Sequence, residues 1–151
     1  MAERTYETEF RPGYEIPGIL LFLVKEGILQ DLSWHNDVSP SFGIDGLVKE
    51  TKGRPQGSSN IEARIWVDHP IERFRETGGR RFVVTYTVSG DQKDAWGFDD
   101  LEVALGKLFS VIVEHAGTLE EIPEAWPDLV AEYSSADEIL SEILDRYYRS
   151  R

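Results

Sequence analysis

The 151-residue chain has no cysteine, a single methionine and no apolar run longer than the six residues Ile19–Val24. Lack of cysteine excludes disulfide frameworks, thiolate zinc sites, iron–sulfur clusters and cysteine nucleophiles, and it fits a reducing compartment. Six apolar residues fall far short of the ~20 that carry a helix across a bilayer. The segment ahead of them holds Glu3, Glu7, Glu9 and Glu15, where a secretory leader would be basic. A cytoplasmic location with no membrane contact is therefore expected. Nucleophile-elbow, zincin, P-loop, dinucleotide and calcium-loop spacings are also missing, so the sequence points to no enzyme class and no cofactor.

Positive charge is scarce as well. Against 28 acidic residues stand 16 Lys plus Arg, a net charge of −12. The imbalance is local: residues 1–90 hold 13 acidic and 11 basic residues, whereas residues 91–151 hold 15 and 5. A field of that sign repels phosphate backbones, which disfavours direct nucleic-acid binding.

At 40% apolar and 29% charged residues, the composition is that of a globular chain, and the length suits one domain over 1–151. Residues 1–15 read as a polar arm. Ile16–Gly27 (IPGILLFLVKEG) reads as a short, deeply buried helix, with Pro17 in its first turn and Gly27 at its left-handed end. Leu29–Ile44 reads as an interrupted strand in which Leu32 and Trp34 alternate with polar neighbours, and Pro40 marks a bend or edge. Residues 45–60 are rich in Gly, Ser and polar residues and read as a mobile loop. Ile61–Asp68 and Phe82–Val88 are further strands, the second with Phe82, Val84, Tyr86 and Val88 on one face. Two amphipathic helices follow, opened by Asp99-x-x-Glu102 and Ser135-x-x-Glu138, with a short turn near 128–133 between them. Short connections make the sheet antiparallel. The expected class is α+β: a small antiparallel sheet of three or four strands packed by one N-terminal and two C-terminal helices.

Three groups of residues invite chemistry. His35 and Asp37 follow Trp34, and Asp68 and His69 follow Trp66. Pairing Ile44 with Ile61 in a hairpin sets Asp37 across from Asp68, where opposed β-carbons lie about 5 Å apart. His35, Asp37, Asp68 and His69 in that arrangement suit a divalent metal or a general base, with Ser39 or Ser41 as nucleophile. Turn chemistry at strand ends accounts for the same residues and is the preferred reading. Arg73, Arg75, Arg80 and Arg81 form the main cationic cluster, whose forks suit a small anionic ligand, or else pair with nearby carboxylates. Finally, Glu120, Glu121, Glu124 and Asp128 lie beside Trp126 and Tyr133 in the acidic C-terminal part. A negative surface with aromatic anchors fits a basic protein partner. That makes a non-enzymatic, regulatory or inhibitor-like interaction domain the leading expectation.

Overall fold

The computed structural model describes residues 5–10, 13–35, 37, 39–47, 60–75, 79–117, 119 and 122–151. In chain order these form α1 (Tyr6–Glu9), α2 (Gly18–Lys25), β1 (Gln30–Asp31), β2 (Ser41–Leu47), β3 (Asn60–Val67), a 3₁₀ turn (Glu72–Phe74), β4 (Phe82–Val88), β5 (Asp91–Phe98), α3 (Leu101–Ala116), α4 (Ala125–Glu132) and α5 (Ala136–Arg149). The class is α+β. Among the described residues the strands make one antiparallel meander, ordered β1-β2-β3-β4-β5. The sheet thus has five strands, not the expected three or four. Most of the loop expected at 45–60 lies outside the described residues; Asp45–Leu47 belong to β2 and Asn60 to β3.

Strand β3 shows how the layers arise. Ile61, Ala63, Ile65 and Val67 are buried, while Asn60, Glu62, Arg64 and Trp66 on the other face are half-buried. The period of two sends one set toward the helices and leaves the other on the opposite face. Helix α3 lies across β3, β4 and β5, and α5 packs on α3. Ala104, Leu105, Leu108, Phe109 and Ile112 of α3 meet Ile139, Leu140 and Ile143 of α5 in the core.

Caps fix where the helices start. Asp100, one residue later than expected, is the N-cap of α3, its Oδ1 accepting from the Val103 amide at 3.1 Å. Asp99 instead holds Arg80 at 2.6 Å. Ser135 caps α5 by accepting from the Glu138 amide at 3.2 Å. The Glu138 carboxylate reaches back to the Ser134 amide and hydroxyl, which hold its carboxyl below the usual range. Helix α2 is less enclosed than expected, since Leu21 is 38% exposed.

Two departures have physical causes. The chain leaves the sheet after Asp31, where an interrupted strand was expected to continue through Leu32 and Trp34. Asp31 Oδ1 accepts from the Ser33 amide at 3.1 Å, a local turn bond that competes with the ladder. The β2–β3 register is also offset by two, pairing Ile44 with Ala63 and Gly46 with Ile61. A slip of two keeps every side chain on its face, so the buried pattern fits both registers.

Gly106 sits inside α3, where a β-carbon would meet Leu140 Cδ2 at 3.7 Å, an ordinary contact. Gly106→Ala is expected to stabilise the protein by about 0.5–1 kcal/mol through helix propensity, read as a higher urea midpoint.

Candidate functional site

The four residues expected to converge on a metal or a base are each held elsewhere. His35 is exposed, its Nδ1 3.5 Å from Glu9 Oε1 and its ring against Trp34. Asp37 faces Arg64 at 3.7 Å. Asp68 is fully buried and accepts from the His69 amide at 2.7 Å. His69 Nδ1 accepts from the Ile71 amide at 3.0 Å, which puts the ring proton on Nε2, and its ring lies between Tyr14 and Phe74. Ser41 Oγ, offered as a nucleophile, accepts from Arg64 at 3.2 Å; buried Ser39 donates to the Pro40 carbonyl. Leu32–His35, Asp37, Ser39 and Pro40 are not strand, and Asp37 is not paired with Asp68 in the β2–β3 ladder. Among the described residues no three His, Asp or Glu gather as metal ligands. The described contacts of Asp68 and His69 are local backbone bonds of the kind found in turns.

The arginine cluster is likewise divided. Arg75 donates to the carbonyls of His69 (2.8 Å), Gly79 (2.8 Å) and Pro70 (3.1 Å), tying the loop around the 3₁₀ turn to its ends. Arg80 is occupied by Asp99. Arg81 donates to the Glu15 carbonyl, and its buried Nε has no hydrogen-bond partner among the described residues. Burial pushes the Arg81 guanidinium down from its ordinary value, opposed by Glu15. Only Arg73 of the four has no ion pair or hydrogen bond among the described residues, and it lies over the Phe74 ring at 4.8 Å. Of the four arginines expected to form an anion site, only Arg73 is thus left without such a partner among the described residues.

Helix α4 carries the acidic surface. Glu124, Asp128 and Glu132 recur every four residues, all exposed, and none has a cationic partner among the described residues. Like charges at this spacing destabilise a helix by a few tenths of a kcal/mol per pair. On α5 the balance differs, because Glu142 is bonded to Arg146 at 3.0 Å and faces Arg149 at 3.7 Å. The bond to Glu142 raises the Arg146 pKa. Glu120 and Glu121, expected on the same surface, lie outside the described residues. Tyr133 is half-buried against the core at the end of α4. Trp126 corrects the expectation of an aromatic anchor: it is fully buried, its Nε1 donates to the Ile28 carbonyl at 2.7 Å, and its ring meets Phe109 edge-on.

A groove that the sequence did not reveal runs between α1, α2 and β1, with a volume of about 710 Å³. It forms because the N-terminal arm is ordered at α1, where the Tyr6 amide donates to Asp31 Oδ2 at 2.9 Å. Leu21, Val24 and Leu32 give it apolar wall; Glu7, Asp31 and Asp45 give it charge. The Tyr6 phenol is raised above its ordinary value by burial, with Glu7 and Asp31 adding to the effect. Arg64 also lines the groove, but Glu62 holds its Nη2 at 3.1 Å and Asp37 faces its Nη1.

Among the described residues no helix is long and apolar enough to cross a membrane. Comparisons with protein-family models, curated proteins and solved structures find no match for this chain.

Proposed function

We propose that the protein is an acidic interaction domain, regulatory or inhibitor-like, that works in the cytoplasm by binding a basic protein partner through its C-terminal helical surface. The observation that carries this reading is the α4 stripe of Glu124, Asp128 and Glu132 with no counter-ions among the described residues. The N-cap and first-turn carboxylates suit the helix dipole, but three like charges in a row ending at Glu132 present a negative face that a basic partner would neutralise. The charge distribution agrees, with net −10 in residues 91–151. The same charge argues against a nucleic-acid partner.

Reversal of Glu124, Asp128 and Glu132 to lysine is expected to cut partner recovery from a native lysate by at least about tenfold, a plausible loss for several rim charges together. Recovery of the same basic protein by wild type should also fall between 50 and 300 mM salt, as roughly expected for exposed charges. The far-UV circular dichroism should be unchanged and the melting midpoint lower by a few degrees at most, because the three side chains are exposed and lysine at the N-cap and first turn opposes the helix dipole by only about 0.3–1 kcal/mol each. Undiminished recovery by the reversed variant overturns the reading.

A further inference from the structure

We propose that the groove between α1, α2 and β1 receives a lysine- or arginine-bearing segment of that basic partner. This rests on the interaction reading above and gives it a second contact surface.

The groove has two characters at once. Leu21, exposed at 38%, and Val24 come from α2, and Leu32 from the segment after β1. Among the described residues Glu7, Asp31 and Asp45 supply three carboxylates against one guanidinium, that of Arg64, which Glu62 already offsets. Lysine and arginine match such a site, because their methylene stems cover apolar surface while their heads remain with the charges. A volume of about 710 Å³ is the size of a small-molecule or peptide-segment site and well beyond a single ion. No three acidic groups among the described residues come close enough to hold a metal. The charge is therefore spread along the groove, which favours an extended organic cation.

Two of the carboxylates are already held in place. Asp31 accepts from the Tyr6 and Ser33 amides, and Asp45 accepts from Asn60 Nδ2 at 2.7 Å. Neither has a cationic partner among the described residues, so binding pays little for ordering them. The groove is also linked to the acidic helix. Trp126 of α4 bonds to Ile28, the residue before Leu29 in the groove lining.

The test is a titration of the ¹⁵N-labelled full chain with a hexalysine peptide, with hexaserine as the neutral control. Saturable amide shifts are expected at Tyr6, Leu21, Val24 and Gln30–Leu32 with hexalysine alone. Glu7→Gln with Asp45→Asn should weaken that affinity at least about fivefold, in line with two partly exposed ion pairs. Leu21→Ser should weaken it about threefold by removing the apolar wall. Glu124→Gln with Asp128→Asn should leave the groove shifts in place. Shifts confined to α4, or groove shifts indifferent to the Glu7/Asp45 variant, overturn this inference and leave the acidic-helix reading standing. Saturable shifts at neither surface overturn the inference; loss of the acidic-helix reading is judged separately by partner recovery.

Discussion

Trp126→Ala is expected to lower the unfolding free energy by about 3–5 kcal/mol, one of the largest losses available to a single substitution in this chain. The ring is fully buried, stands edge-on to Phe109 with centroids 5.2 Å apart, and donates to the Ile28 carbonyl at 2.7 Å. Alanine removes the ring from the contact between α3 and α4 and leaves the Ile28 carbonyl without its donor. Trp126→Phe separates the two effects: most of the volume remains, and the lost hydrogen bond at a buried acceptor costs about 1–3 kcal/mol. Urea denaturation followed by far-UV circular dichroism reads both. The same pair of variants decides what the tryptophan is for. A surface anchor would weaken partner binding with little change in stability. A core residue does the reverse, and a stability cost below about 1 kcal/mol for Trp126→Ala would overturn the core assignment.

That case also shows which parts of the molecule were legible in the sequence. Trp126 beside Glu124 and Asp128 looks like an anchor on an acidic face. Yet Trp126, Leu129 and Val130 stand at i, i+3 and i+4, the spacing that sends a helix face inward, and that signal was available. Helices α3 and α5 were readable because their stripes are long and capping residues precede them, Ser135 as expected and Asp100 one residue from the expected Asp99. Strands β3 and β4 were readable because they alternate. Strand β5 was not: Asp91–Ala95 are all exposed, and only Trp96 and Phe98 pack on the core. It is created by the hairpin, with Ser89 at φ 52° and Gly90 at φ 87°, a pair of positive values that turns the chain back on β4.

The site was harder to read for a different reason. The His/Asp expectation rested on a register, and a buried pattern of period two does not distinguish registers two residues apart. The groove depends on contacts between distant positions, such as Tyr6 with Asp31, which no local pattern announces. Arg64 illustrates the same point. In the sequence it is one charge in an alternating strand; in the fold it faces Glu62 and Asp37 and reaches the Leu32 carbonyl at 3.5 Å.

Gly43→Ala should be the other severe substitution, costing at least about 3 kcal/mol, toward the upper end for overpacking. Gly43 pairs with Gln30 of β1 on one side and Arg64 of β3 on the other, so β2 is bounded at this point by both neighbours. A β-carbon here would overlap the Ala63 carbonyl oxygen and come within 2.8 Å of Arg64 Cα. Both obstacles are backbone, so no side-chain rotation relieves them, and β2 and β3 must part. A strand glycine marks such a close approach. The displacement would carry Arg64 with it and loosen the loop it holds through Leu32 and Asp37, along one wall of the groove. Gly43→Ala should therefore lower the urea midpoint and speed amide exchange across the β2–β3 ladder, while Gly106→Ala moves the midpoint upward. The opposite signs test the geometry, because the same β-carbon is added in both. A Gly43→Ala protein with wild-type stability and protected β2–β3 amides would mean that the strands do not approach as closely as described. If the strands do part, hexalysine binding at the groove should weaken along with the exchange protection, since Gln30, Asp31 and Leu32 are held to β2 at Gly43, Phe42 and Ser41.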